Sequence, residues 1–314
     1  MDSASPTALV LVGPTAVGKT VVSIQIAKKI DCEIVSADSR QIYRFMDIGT
    51  SKPSKETQES VTHHFINILD PDQDYSAGQY AKEARETIQQ ILDRGKTPLI
   101  VGGSGLYIRA LLNGFFGEDY RDESVRIRLN SRLKDEGAES FYSELQRVDP
   151  KNAEQTHPNN LKRILRSLEV YYITGRPMSE IQKSEKDPAP FPWIKFGLIM
   201  KREHLYARIN HRVDQMFKKG LTEEVQHLLN NGYSPMLNSL NSVGYKEVIE
   251  YLNGDFDLGS CNSLIKQNTR RYAKRQLTWF RGEKDIHWAT IENPENSTSE
   301  IVKDLLGQYN SLNY

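Results

Sequence analysis

An α/β fold, a parallel sheet carrying a helical insertion, is predicted by three observations. The first is Gly13-Pro14-Thr15-Ala16-Val17-Gly18-Lys19-Thr20, which fits the phosphate-loop pattern G-x-x-x-x-G-K-[ST] at every fixed position. The second is a set of short apolar runs at 8–12, 33–37 and 98–101, each ending in a polar or glycine-rich turn, as buried parallel strands do. The third is a change of composition from about residue 118 to 187, where strand-forming residues give way to charged, helix-friendly sequence. The organisation expected is a first part of the core over 1–117, an insertion over 118–190 and the rest of the core over 191–314.

The run 8–12 supplies the first strand, and residues 21–30 carry apolar side chains at helical spacing. The glycine-rich turn between them would aim backbone N–H groups and the positive end of a helix dipole at an anion. Lys19 would add a point charge and Thr20 a hydroxyl for Mg²⁺. Chance alone delivers the pattern in roughly one chain of this length in a hundred, before a strand and a helix are demanded around it. A phosphate or diphosphate is therefore expected at 13–20, although kinases, nucleotide hydrolases and other transferases all share such a loop. This makes it a phosphate-loop NTPase-like core, of the type that also binds ATP.

The second strand, 33–37, ends at Asp38, and ligands of open α/β sheets lie outside the carboxyl ends of the strands. Asp38 is thus a candidate for chemistry, the alternative being a cap for the following turn. The loop 47–53 is punctuated by glycine and proline and is expected to line the same cleft. Residues 63–71 read as a short structural strand running into a turn, and 75–92 as an amphipathic crossover helix. The strand at 98–101 ends in Gly102-Gly103-Ser104-Gly105, without the terminal acid of many phosphate-loop hydrolases. Ser104 could face the cleft or simply sit in a turn leading to a helix over 106–112.

Within the insertion, helices are expected over 124–136, 141–148 and 160–174. Their charges, Arg126 and Arg128 among them, read first as a solvated surface. A stiff proline-rich linker at 187–192 leads to a strand at 195–200. A long helix over 205–230, interrupted at Gly220, follows; then come helices over 243–252 and 263–281 and a final edge strand at 286–288. The segment 266–281 holds six basic residues and no acid, with Tyr272, Trp279 and Phe280 interleaved.

Composition narrows the classes. The chain has 314 residues, 41 basic and 41 acidic, so partners are argued from where charge lies and not from its sum. Cys32 and Cys261 lie far apart and the seven histidines are scattered, which leaves neither a disulfide framework nor a zinc site. No run of about 18 apolar residues exists to span a bilayer, and the first strand follows no charged leader. A cytoplasmic protein without a membrane partner is expected.

Several stretches taken together, GPTAVGKT, SADSRQIYR, DIGTSKP, VGGSGLY, DPKNAEQTHPNNLKRILRSLEVY, SVGYKEV and TRRYAKRQLTWFR, resemble those of the tRNA dimethylallyltransferases, in the same order from about Leu9 to Trp288. The resemblance, which is to the bacterial type, implies transfer of a dimethylallyl group from dimethylallyl diphosphate to the N6 amine of the adenosine 3′-adjacent to the anticodon, with release of pyrophosphate. It implies Mg²⁺ as cofactor, the anticodon stem-loop as partner and a monomer.

By the same resemblance, Lys19 serves the leaving diphosphate, Asp38 is the general base, and Ser104, where threonine is common, orients the base or the diphosphate. Thr15 matches a loop residue that touches the donor. Ser39, Arg40 and Gln41 match the segment around the target nucleotide. Arg126, Lys162, Arg163, Ile164, Leu165 and Arg166 match an RNA-facing set. So do Asn241, Ser242, Val243, Gly244, Tyr245 and Lys246, and finally Lys274, Arg275, Gln276, Leu277, Thr278, Trp279, Phe280 and Arg281. Asn160 stands where aspartate is common and Arg40 where a small residue is common. A transferase acting on free adenine nucleotide and a small-molecule kinase share the phosphate loop; the basic C-terminal helix argues for the RNA substrate.

Overall fold

A computed structural model describes residues 7–114, 120–184, 187–292 and 297–312. The chain runs through β1 (Ala8–Val12), α1 (Lys19–Ala27), β2 (Cys32–Ala37), α2 (Lys55–Ser60), β3 (His63–His64), α3 (Ala77–Asp93), β4 (Thr97–Gly102) and α4 (Gly105–Asn113). It continues through α5 (Glu123–Val148), α6 (Pro150–Glu154), α7 (Leu161–Thr174) and α8 (Met178–Ser184), and returns in β5 (Trp193–Met200). Next come α9 (Arg202–Lys218), α10 (Leu221–Asn230), α11 (Tyr245–Leu252), α12 (Leu258–Arg281), β6 (Ile286–Ile291) and α13 (Ser297–Leu312).

The strands form one sheet in the order β3-β2-β4-β1-β5-β6, and every described pairing is parallel. β1 lies inside the sheet with Leu9 in register with Leu99 on one side and Ile194 on the other. Burial on both faces explains why its five residues are all apolar and none exposed. The same core takes in Val22 and Ile26 of α1, Leu205 and Ile209 of α9, and Ile301, Val302 and Leu305 of α13.

Two compact units result. One comprises the described residues of Met1–Tyr75, Glu83–Ile108 and Pro190–Tyr314; the other, those of Ser76–Lys82 and Arg109–Ala189. The boundary expected at 117/118 lies outside the described residues. The second unit has its own core, in which Leu129, Phe141 and Leu145 of α5 meet Ile164 and Leu168 of α7.

Several elements differ from the sequence reading. The helices expected at 124–136 and 141–148 are both present, joined within α5 at Gly137, whose backbone is non-helical (φ 78°, ψ 169°). The helix expected over 205–230 is two, because the chain turns at Gly220 (φ 95°) between α9 and α10. The edge strand runs to Ile291, and α2 and α13 had no counterpart in the sequence reading. Among the described residues, no helix is long and apolar enough to cross a membrane.

Candidate active site

Three strands deliver the site to one edge of the sheet. Val12 pairs with Gly102, and Gly102 with Ala37, so the turns that follow β1, β4 and β2 start side by side. They hold the phosphate loop, the 103–105 turn and Asp38. The loop leaves β1 at Gly13 (φ 149°), where a Cβ would lie 2.7 Å from the Leu198 carbonyl oxygen of β5, so a side chain there would force strand and loop apart. Ala16 and Val17 are buried and anchor the loop from below.

The Lys19 ammonium folds back over the loop, donating to the carbonyls of Gly13 at 2.8 Å and Pro14 at 2.9 Å. Burial draws its pKa down to about 8; Asp38 opposes that shift and Arg212 adds to it. Thr20, in the first turn of α1, is exposed. Among the described residues, no group of three His, Cys, Asp or Glu side chains could hold a metal ion. Mg²⁺ typically takes one or two protein ligands and completes its shell with phosphate oxygens and water, so the Thr20 hydroxyl beside a bound diphosphate fits it.

Two further cations reach the loop from α9. Arg212 donates from Nη1 to Thr15 Oγ1 at 3.2 Å, and Arg208 from Nε to the Ala16 carbonyl at 2.9 Å. Burial, with Arg208 next to it, pushes Arg212 below its ordinary range, and burial does the same to Arg208. Two guanidiniums held against each other in a partly buried place are the arrangement an anion would relieve. The sequence reading did not contain them. Their spacing of i, i+4 on an amphipathic helix is that of a solvated face, and the loop they serve lies about 190 residues away.

Asp38 caps the turn after β2 with one of its two oxygens. Its Oδ1 accepts from the N–H groups of Arg40 at 2.9 Å and Gln41 at 3.4 Å, as a turn cap would. No hydrogen bond engages Oδ2 among the described residues, and Asp38 lies on the wall of a pocket together with Thr15 and Arg212. Ser39, Arg40, and residues 49–51 of the 47–53 loop share that pocket, as expected. The Arg40 guanidinium donates to the Asn238 carbonyl at 2.8 Å, so the unusual residue ties two loops of the rim together. Gln41 instead faces the carbonyls of Thr50 and Ser51. Glu224 of α10 fixes the 47–49 backbone, accepting three N–H groups and the Tyr245 hydroxyl.

The far walls are residues 241–245 and the face of α12 that carries Ile265, Thr269, Tyr272 and Arg275. The Arg275 guanidinium sits 5.8 Å from the centre of the Tyr272 ring. Ser104 is not among the pocket walls; its N–H donates to the Ala37 carbonyl at 3.2 Å, one residue from Asp38.

Burial divides the RNA-facing set. Phe280 is 1% exposed and Leu277 packs on the main core. Gln276 is buried with its amide engaged by Thr15 and Gly103. Tyr245 is fully buried, and Ile164 belongs to the core of the second unit with Leu165 against it. Helical periodicity requires this: a run of consecutive helix residues must place some on the inner face. Lys274, Arg275, Thr278 and Arg281 are exposed, and among the described residues none of the three cations makes an ion pair. Trp279 is half-buried against Gly105. In the second unit Lys162 and Arg163 are exposed, while Arg126 and Arg166 converge on the buried Glu169 at 3.2 and 2.7 Å. Asn160 caps α7, accepting from the Arg163 N–H at 3.3 Å, as an aspartate would.

A parallel sheet with a phosphate loop, extra cations on its flank and a carboxylate facing the same pocket defines the class of phosphate-loop group-transfer enzymes. The family described as IPP transferase matches residues 41–283, and the chain belongs to it. It is 48% identical over 289 residues to the tRNA dimethylallyltransferase of Pelotomaculum thermopropionicum, covering 91% of each chain. To that of Geobacter sulfurreducens it is 45% identical over 310 residues, covering 98% of this chain and 99% of the other. Among solved structures, the full-length tRNA isopentenylpyrophosphate transferase of Bacillus halodurans superposes with a TM-score of 0.72 at 38% identity, with 97% of each chain covered. A eukaryotic dimethylallyltransferase acting on tRNA gives 0.85 at 28% identity, covering 98% of this chain and 79% of that one.

Proposed function

We propose that this protein transfers the dimethylallyl group of dimethylallyl diphosphate to the N6 amine of the adenosine 3′-adjacent to the anticodon of a tRNA. The observation that carries the reading is that Thr15 of the phosphate loop, Arg212 and Asp38 line one pocket. In the reaction the bond between N6 and the prenyl C1 forms while the C1–O bond to the diphosphate breaks. Negative charge grows on the departing diphosphate, where Lys19, the α1 N-terminus, Arg208 and Arg212 stabilise it. The proton lost by N6 goes to Asp38, whose Oδ1 is held by the turn and whose Oδ2 is left to take it. Thr20 would help to hold Mg²⁺, which would supply further neutralisation of the leaving group.

The acceptor base is too deep in a stacked loop to react in place and must be flipped into the pocket. Tyr272 and Arg275 offer it a stacking surface, and burial together with Asp38 raises the Tyr272 pKa so that the phenol keeps its proton. Lys274 and Arg281 on α12, and Lys162 and Arg163 on α7, are the cations available to the phosphates of the stem. Incubation with labelled dimethylallyl diphosphate and either tRNA or AMP tests the substrate assignment. Label in tRNA alone is expected; label in AMP, or ATP turnover without prenyl transfer, contradicts it.

A further inference from the structure

We infer that Gln276 is a positioning residue whose amide fixes the shape of the phosphate loop by tying it to the turn after β4. Its Oε1 accepts the Thr15 N–H at 2.8 Å, and its Nε2 donates to the Gly103 carbonyl at 2.9 Å. The two partners dictate which way the amide points, since one offers a proton and the other a lone pair. The side chain comes from the last third of α12, 261 residues along the chain from Thr15, and is 7% exposed, so water does not readily replace it.

The surroundings are shaped to this contact. A Cβ on Gly103 would lie 2.2 Å from Gln276 Nε2, and one on Gly105 would lie 2.2 Å from Trp279 Nε1. Gln276 and Trp279 are three residues apart on one face of α12, so the helix lies directly on the 103–105 turn. Thr15 is held a second time by Arg212, so its backbone is fixed from α12 and its side chain from α9. Removing the amide leaves a part-buried N–H on the phosphate loop and a buried carbonyl on the turn without their partner, which the loop relieves by moving. The neighbours Lys274 and Arg275 are exposed and do not share this role.

The inference rests on the reading that the loop holds a diphosphate, and its test separates the two. Gln276→Met keeps length and volume but removes both hydrogen bonds; Gln276→Glu keeps the acceptor for Thr15 and removes the donor to Gly103. Hydrogen exchange of the peptides covering 13–20 and 103–105 is compared with that of β1 and α7, alongside calorimetric titration with inorganic pyrophosphate and Mg²⁺. Exchange in Gln276→Met that quickens at 13–20 and 103–105 but not at β1 or α7, with pyrophosphate bound roughly tenfold more weakly, is the expected result. Gln276→Glu should loosen 103–105 more than 13–20. Unchanged exchange in both peptides, or acceleration spread evenly over the whole protein, overturns the positioning role. A wild-type protein that binds no pyrophosphate overturns the diphosphate reading instead, and the exchange pattern still decides the role of Gln276.

Discussion

Asp38 uses one carboxylate oxygen to hold the turn after β2 and lines the pocket, so replacement by asparagine separates the two tasks. Asp38→Asn retains an oxygen for the Arg40 and Gln41 N–H groups and loses the base. We expect tRNA affinity within twofold of wild type and a kcat reduced about 10²-fold or more, measured by single-turnover transfer. Unimpaired turnover would remove Asp38 from the reaction. Lys19 makes a pH-dependent prediction. Its pKa of about 8 leaves it positive below that value and neutral above it, so affinity for an anionic donor falls as pH rises through about 8. The KM for dimethylallyl diphosphate should climb between pH 8 and 9.5, and Lys19→Met should raise KM throughout and abolish the climb. A wild-type KM flat over that range contradicts the assignment.

At the scale of elements, α12 shows what sequence does and does not reveal. Its basic and aromatic content is visible in the sequence, but a contiguous run cannot face one way on a helix, and the inner residues Gln276 and Phe280 serve the loop and the core. The phosphate loop was legible because its pattern is local: eight consecutive residues between a strand and a helix. Arg208 and Arg212 were not legible, since only tertiary packing of α9 brings them to Thr15 and Ala16. The helix α13 has regular apolar spacing in Ile301, Leu305 and Tyr309, yet its place is set by distant partners, with the Tyr309 hydroxyl donating to the Thr7 carbonyl at 3.0 Å.

The same division predicts stability on α7. Ile164→Ala opens a cavity in the second unit and should cost about 2–5 kcal/mol in denaturant unfolding. Lys162→Ala, on the exposed face, should change stability by less than about 0.5 kcal/mol. Equal effects would mean that the faces of α7 are misassigned.

For the molecule as a whole, the parallel sheet gathers the chemistry at one edge, and Lys274 and Arg281, without ion pairs among the described residues, lie on α12. Counterion release then makes tRNA affinity fall steeply with salt. The double variant Lys274→Ala with Arg281→Ala should keep its melting temperature and pyrophosphate affinity while its log–log salt slope becomes shallower by roughly one to two. An unchanged slope in a destabilised protein would make that face of α12 structural. The most direct measurement of the transfer reaction joins product to by-product. Purified tRNA is reacted with dimethylallyl diphosphate, digested to nucleosides and sequenced around the anticodon, while pyrophosphate is counted in the same tube. One pyrophosphate released for each N6-dimethylallyladenosine, all of it at the position 3′-adjacent to the anticodon, is the predicted result. Pyrophosphate without prenylated adenosine, or prenyl groups scattered over other positions, would contradict it.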